Sequence, residues 1–203
     1  MPPTTPSTDR AIALLNHLFL MAMLAVILAI LAAALALQLI WGELPCPLCL
    51  LERLGLFGVA FGIVLNWRTG YSDRHTGLSL LFALFLLIVA ARQSLLDIYP
   101  RPGHSYIGSA IFGLHMPVWS IVIALCLLLA FSLGLAVLGG ADHMRRHGVE
   151  SFAYLPRIAM GLSVATIALC AINTGLVILQ CGTGECHTYG YALLGGPTTA
   201  PAP

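Results

Sequence analysis

The chain has 203 residues, 59% of them hydrophobic and only 8% charged, with a mean hydropathy of +0.94 and a formal net charge of +1. Soluble domains carry roughly a quarter charged residues, so this composition excludes an ordinary soluble fold and describes a chain whose solvent is lipid. No basic face and no recognition motif is present for nucleic acid, and that class is excluded as well.

Residues 1–17 read as a tail, and the stretch from Met1 to Asp9 reads as unstructured. The first of five apolar runs, residues 18–40, is long enough for the ~20 residues a spanning helix needs. It exceeds the roughly 7–15 residues of a secretory signal core, and no A-x-A cleavage site sits where one should, so it reads as a permanent span. The sequence Glu43-Leu44-Pro45-Cys46-Pro47-Leu48-Cys49 then leads into the second run, residues 50–66. A Cys-x-x-Cys pair can close a small strained ring, and strained, exposed disulfides have the high potentials of catalytic ones. Cys49 falls at or near a helix start, where unpaired amides and the helix dipole favour thiolate. Arg53 stands one turn deeper on the same face, where a cation favours the Cys49 thiolate and attracts an anionic reduced acceptor. Glu52 opposes this effect unless it neutralises a neighbouring arginine. An arginine facing into a bundle marks a functional site, whereas one at the edge merely snorkels to the interface.

The third run, residues 78–98, carries Arg92 and Gln93 towards its end, and the loop after it, residues 99–116, has no cysteine. Tyr106, Ile107, Ile111, Phe112 and Leu114 are spaced for a short amphipathic helix on the membrane surface. Such a helix would hold His104 or His115 over the acceptor as a proton source; the plainer reading is a connecting loop. The fourth and fifth runs, residues 117–139 and 158–180, contain Cys126 and Cys170, which read as small hydrophobes among apolar neighbours. The string Gln180-Cys181-Gly182-Thr183-Gly184-Glu185-Cys186-His187 follows, its glycines leaving a small disulfide ring pliable. An exposed tail of this kind can meet a soluble partner and fold back to Cys46 and Cys49, and two dithiols in mutual reach form a relay. Residues 195–203 read as disordered.

All basic residues are arginines. Arg10, Arg68, Arg74, Arg145, Arg146 and Arg157 fall in the N-terminal tail and the two even-numbered loops, so the positive-inside rule places the N-terminus in the cytoplasm. Both cysteine pairs then lie on the outer side, where disulfides persist.

The segment from Pro45 to Arg53, entering a span with Gly55, Phe57 and Gly58, resembles the signature of DsbB-type disulfide bond formation proteins. Residues Gly113 to Trp119 and Ala91 to Pro100 are similar to that family too, and the resemblance covers about residues 15 to 140. Cys-x-x-Cys-x-x-Glu-Arg is its most specific element. The resemblance implies an all-α integral membrane protein: a four-helix bundle in the bacterial inner membrane, here with an additional fifth helix and a periplasmic tail, residues 181–203. It further implies reoxidation of a DsbA-like periplasmic thioredoxin-fold partner, with ubiquinone or menaquinone as electron acceptor. On this analogy Cys49 is the quinone-proximal thiolate, Cys46 its disulfide partner and Arg53 a quinone contact. Arg92 and Gln93 occupy the end of span three that faces the quinone, Gln93 standing where members commonly carry a histidine. The departure is the second pair, Cys181 and Cys186, which better-known members carry between spans three and four. Two other classes compete: a membrane scaffold stapled by structural disulfides, and a haem-bearing electron carrier attached through Cys181, Cys186 and His187. A zinc site built from the four cysteines is disfavoured by their apolar flanks.

Overall fold

In lipid each backbone amide must find its partner within the chain, so long apolar runs fold as helices. The computed structural model describes residues 6–98, 113–138, 141–184, 186 and 190–195. Among them the elements are α1 (Pro6–Ile40), α2 (Pro47–Arg68), α3 (Asp73–Ile98), α4 (Met116–Leu138), α5 (Ala141–Arg146) and α6 (Leu155–Cys181), with 3₁₀ turns at Val149–Ser151 and Ala192–Leu194. Five of these helices, all but α5, are long and apolar enough to cross a membrane, and the chain is an all-α integral membrane protein.

Helix α1 starts at Pro6, so residues 6–9 of the opening stretch are helical rather than unstructured. The cause lies in the connection between the fourth and fifth spans, which folds back on α1. Buried Asp9 pairs with Arg146 at 3.4 Å, and Arg10 donates to the Ser151 carbonyl while its guanidinium lies 5.6 Å from the Phe152 ring centroid. The residues expected to form an amphipathic surface helix, from His104 to Phe112, lie outside the described residues. Leu114 is exposed, and the His115 carbonyl accepts from the amides of Val118 and Trp119 at the start of α4.

Helix α2 is the most enclosed of the five spans, packed on α3, α6 and α1, while α4 packs on α3. Its contact with α3 is made close by a glycine stripe. A Cβ on Gly55 would stand 3.0 Å from the Leu86 Cβ, one on Gly58 would enter the Phe82 ring, and one on Gly62 would meet the Ser79 Oγ and the His75 carbonyl. Small residues let membrane helices approach until backbone groups bond across the seam; here the Ser79 hydroxyl donates to the Val59 carbonyl at 3.0 Å. Gly62→Leu should therefore cost at least about 1–3 kcal/mol, because the obstructing His75 carbonyl is backbone and cannot rotate away. Gly77→Leu, on an open face of α3, should be nearly silent. Thermal unfolding of both variants in detergent checks the contrast.

The remaining faces of α1, α4 and α6 carry exposed Val26, Leu129, Leu133, Ile167 and Ile178, as expected where the solvent is hydrocarbon. Cys126 and Cys170 are free thiols on these outward faces.

Candidate functional site

Proline at the first helical position loses only an amide that would have no intrahelical partner, so Pro47 starts α2 at little cost and makes Cys46 the N-cap. Cys46 is extended (φ −68°, ψ 161°), and its Sγ accepts the Cys49 amide at 3.1 Å. Cys46 and Cys49 are joined as a disulfide across the first turn. Cys46 is buried and Cys49 half-buried. Two neighbouring helices hold this turn. From α3, Gln93 Nε2 lies 3.5 Å from both sulfurs; from α6, Gln180 Nε2 donates to the Pro45 carbonyl at 2.8 Å.

Arg53 points into the bundle and is only 9% exposed, which removes the snorkelling reading. Its guanidinium donates to Gln38 Oε1 at 2.7 Å, Asn173 Oδ1 at 3.2 Å and the Ala34 carbonyl at 3.1 Å. It thus joins α1, α2 and α6 through neutral acceptors. Glu52 leaves the helix in another direction, towards α4, where its Oε2 accepts from the Ser120 hydroxyl at 2.8 Å. Neighbouring residues on a helix are about 100° apart, and this divergence lets a carboxyl and a guanidinium share one wall without bonding to each other.

That wall belongs to a cavity of about 170 Å³ whose lining includes Cys49, Glu52, Arg53, Ala34, Trp119 and Ser120. Ile30, Trp119 and Ile123 also line a second, almost wholly apolar hollow of about 360 Å³ between α1 and α4, which extends past Val26 and Cys126 to Ala130. The cavity beside the disulfide therefore continues into a groove along the membrane-facing side. A larger hollow, about 780 Å³, lies at the opposite, arginine-bearing end among Arg68, Arg74 and Arg145, with no cysteine among its lining residues.

Cys181, the last residue of α6, forms the second disulfide with Cys186. Gly182 ends that helix at φ 57°, a left-handed conformation that side chains disfavour, and its amide closes on the Ile178 carbonyl at 2.9 Å. The chain then returns: Leu193 packs beside Gly182, and Tyr191 accepts a hydrogen bond from Gln38 Nε2 at 3.3 Å. Because Gln180 touches Pro45 and Tyr191 touches Gln38, both disulfides occupy the same end of the bundle.

Cys46, Cys49, Arg53 and Gln93 are therefore brought together, whereas Arg92 is exposed on α3 and absent from the cavity wall. His115 precedes Met116, which lines the cavity; His187 lies outside the described residues. Gln38, Ser120, Asn173, Gln180 and Tyr191 were not expected from the sequence. The signal was there for α6: its buried residues include Ser163, Thr166, Asn173 and Gln180, and polar groups one or two turns apart in an apolar span mark an inward face.

Residues 16–106 match the family model described as Disulfide bond formation protein DsbB. The disulfide bond formation protein B of Nitrosomonas eutropha is 40% identical over 72 residues, 34% of this chain and 44% of that protein. The chain thus spans less than half the length of the curated relative it matches. No solved structure matches it.

Proposed function

We propose that this multi-pass membrane protein, whose residues 16–106 match the DsbB family model, is a thiol:quinone oxidoreductase. It reoxidises a DsbA-like periplasmic dithiol and delivers the electrons to a membrane quinone. One observation carries the reading: the Cys46–Cys49 disulfide stands at the wall of a cavity that also holds Arg53 and runs into an apolar groove between α1 and α4.

The lining fits a quinone. A dry cavity of about 150 Å³ accepts a benzene ring, and the cavity beside Cys49 has about 170 Å³ with polar groups on one wall. The groove suits an isoprenoid tail, since every residue lining it except Cys126 and Trp119 is a plain hydrocarbon side chain or a methionine. A quinone bound there supplies the terminal oxidation, taking two electrons and two protons to become a quinol.

The thiol steps balance around it. A partner thiolate attacks the Cys181–Cys186 disulfide, and the partner's second thiol resolves the mixed disulfide; the partner leaves oxidised and both tail cysteines leave as thiols. A tail thiolate next attacks Cys46–Cys49, restoring the tail disulfide and leaving Cys46 and Cys49 as a dithiol. That dithiol gives up two electrons and two protons and closes again. Cys49 is the member beside the acceptor, in the first turn of α2 where the helix dipole favours thiolate. Arg53 offers charge and N–H donors to the oxygen on which negative charge develops. Gln93 keeps an amide on both sulfurs. The gathering of arginines at the other end supports a cytoplasmic N-terminus, with residues 181–203 as a periplasmic tail on an inner-membrane domain, residues 18–180.

The test is quinone reduction by the purified protein supplied with a reduced thioredoxin-fold partner. Turnover supports the reading; its absence with both ubiquinone and menaquinone, in folded protein, favours a scaffold with structural disulfides. The groove carries its own expected result. Ala130→Trp, far along it from Cys49, should raise the KM for a long-tailed quinone about tenfold while leaving that for a tail-less analogue unchanged. Equal effects on both would mean that the tail lies elsewhere.

A further inference from the structure

Helix α6 lies wholly outside the DsbB-type segment, which ends at residue 106. A helix added to a bundle can simply cover it, and then its inward face needs only small or apolar residues. The lower half of α6 follows that expectation, with Ala159 and Ser163 buried and the Ser163 hydroxyl bonded to its own helix at the Ala159 carbonyl. Its end from Asn173 onward departs from it. Asn173 and Gln180 are seven residues apart and both buried; Asn173 accepts from Arg53 of α2, and Gln180 donates to the Pro45 carbonyl just before α2. An amide inside a span is costly unless bonded, so two of them on one face describe a surface built to hold something.

What they hold is the cysteine site. Asn173 Oδ1 and Gln38 Oε1 both accept from the same guanidinium nitrogen of Arg53, and the Ala34 carbonyl accepts from another. A guanidinium has five N–H donors. Three are spent in fixing its plane, which leaves two that no described residue engages. Gln180 fixes the carbonyl immediately before Cys46, the residue that caps α2. Tyr191, on the returning strap, takes the Gln38 Nε2. That bond orients the Gln38 amide so that its oxygen, rather than its NH₂, meets Arg53.

Resting on the thiol:quinone reading, we propose that α6 and the strap after it complete the Cys46–Cys49 site, with Asn173, Gln180 and Tyr191 as positioning residues for Arg53, the Cys46 cap and Gln38. The fifth helix is thereby part of the redox centre and not only a carrier for the second cysteine pair. It also links the two pairs physically, because Gln180 is adjacent to Cys181 and bonded to the residue adjacent to Cys46.

The experiment uses the full-length chain in detergent with isosteric variants. Asn173→Leu removes the acceptor; Asn173→Asp keeps it. Gln180→Glu keeps the shape and removes the donor. Asn173→Leu should raise the quinone KM about tenfold, the worth of one charge-assisted bond, and Asn173→Asp should recover most of that loss. Gln180→Glu should lower kcat about tenfold with little change in KM, since the cap and not the acceptor pocket is disturbed. Equilibration of Cys46–Cys49 with a glutathione buffer needs no quinone. There Asn173→Leu should move the balance towards the disulfide by at least about threefold, because a misplaced Arg53 supports the thiolate less well. Wild-type values for both variants in both assays overturn the proposal. A wild-type protein that reduces no quinone would instead defeat the functional reading, and the glutathione balance would still decide the role of Asn173.

Discussion

Cys49→Ala is expected to reduce quinone-dependent turnover by at least about 10³-fold, to background, since loss of a nucleophile that acts within a relay removes nearly all of its catalysis. Cys46 is buried as the cap of α2, whereas Cys49 stands on the cavity wall. Alanine leaves Cys46 without access to the acceptor. The fold should persist: Pro47 still starts the helix, Gln180 still holds Pro45, and a disulfide closing so short a loop contributes only about 2 kcal/mol. Circular dichroism and quinone absorbance on the same sample check both halves. Cys181→Ala gives the complementary result. Turnover with a reduced thioredoxin-fold partner should vanish, while a small dithiol able to reach Cys46–Cys49 directly should still drive quinone reduction. Full turnover in Cys49→Ala would mean that electrons leave the protein elsewhere. Full turnover with the partner in Cys181→Ala would reduce the tail disulfide to a staple.

The spans and the inward cysteine turn were legible because lipid makes the rule simple: apolar runs must be helical, and a charge within one must face protein. Arg53 follows that rule. The sequence could not show which neighbours receive it, since Gln38 and Asn173 are ordinary polar residues until packing aligns them. Helix α1 was expected to start twelve residues late for a related reason. Asp9 and Arg10 look like solvent-facing tail residues, and only the fold-back of the connection after α4 gives them Arg146 and the Ser151 carbonyl. Glu52 was weighed as a competitor or partner for arginine, and its actual partner, Ser120, lies on a helix 68 positions away. Local spacing identifies faces; long-range partners come from helix packing, which no local pattern encodes. The glycines of the tail suggest only a pliable disulfide ring, yet Gly182 also serves as a helix cap, and Tyr191 anchors the return.

Arg53→Leu is expected to weaken quinone use and stability together, and the two losses can be separated. Its removal leaves the Gln38 and Asn173 amide oxygens and the Ala34 carbonyl without their donor inside a span, at a cost of about 1–3 kcal/mol for a buried group left unpaired. Thermal stability in detergent should fall accordingly. The quinone KM should rise tenfold or more, the worth of at least one charge-assisted bond of about 1.5–3 kcal/mol, while reduction of Cys181–Cys186 by the partner keeps its wild-type rate. Arg53→Lys should recover only part of the KM, because a compact ammonium cannot reach acceptors on α1 and α6 and also present donors to a ligand. Gly62→Leu is the control. It strains the α2–α3 seam against Ser79 and the His75 carbonyl, away from the cavity, so it should destabilise without changing the KM of the folded fraction. If a folded Arg53→Leu protein shows wild-type quinone dependence, Arg53 is a structural tie between three helices and the acceptor binds without it.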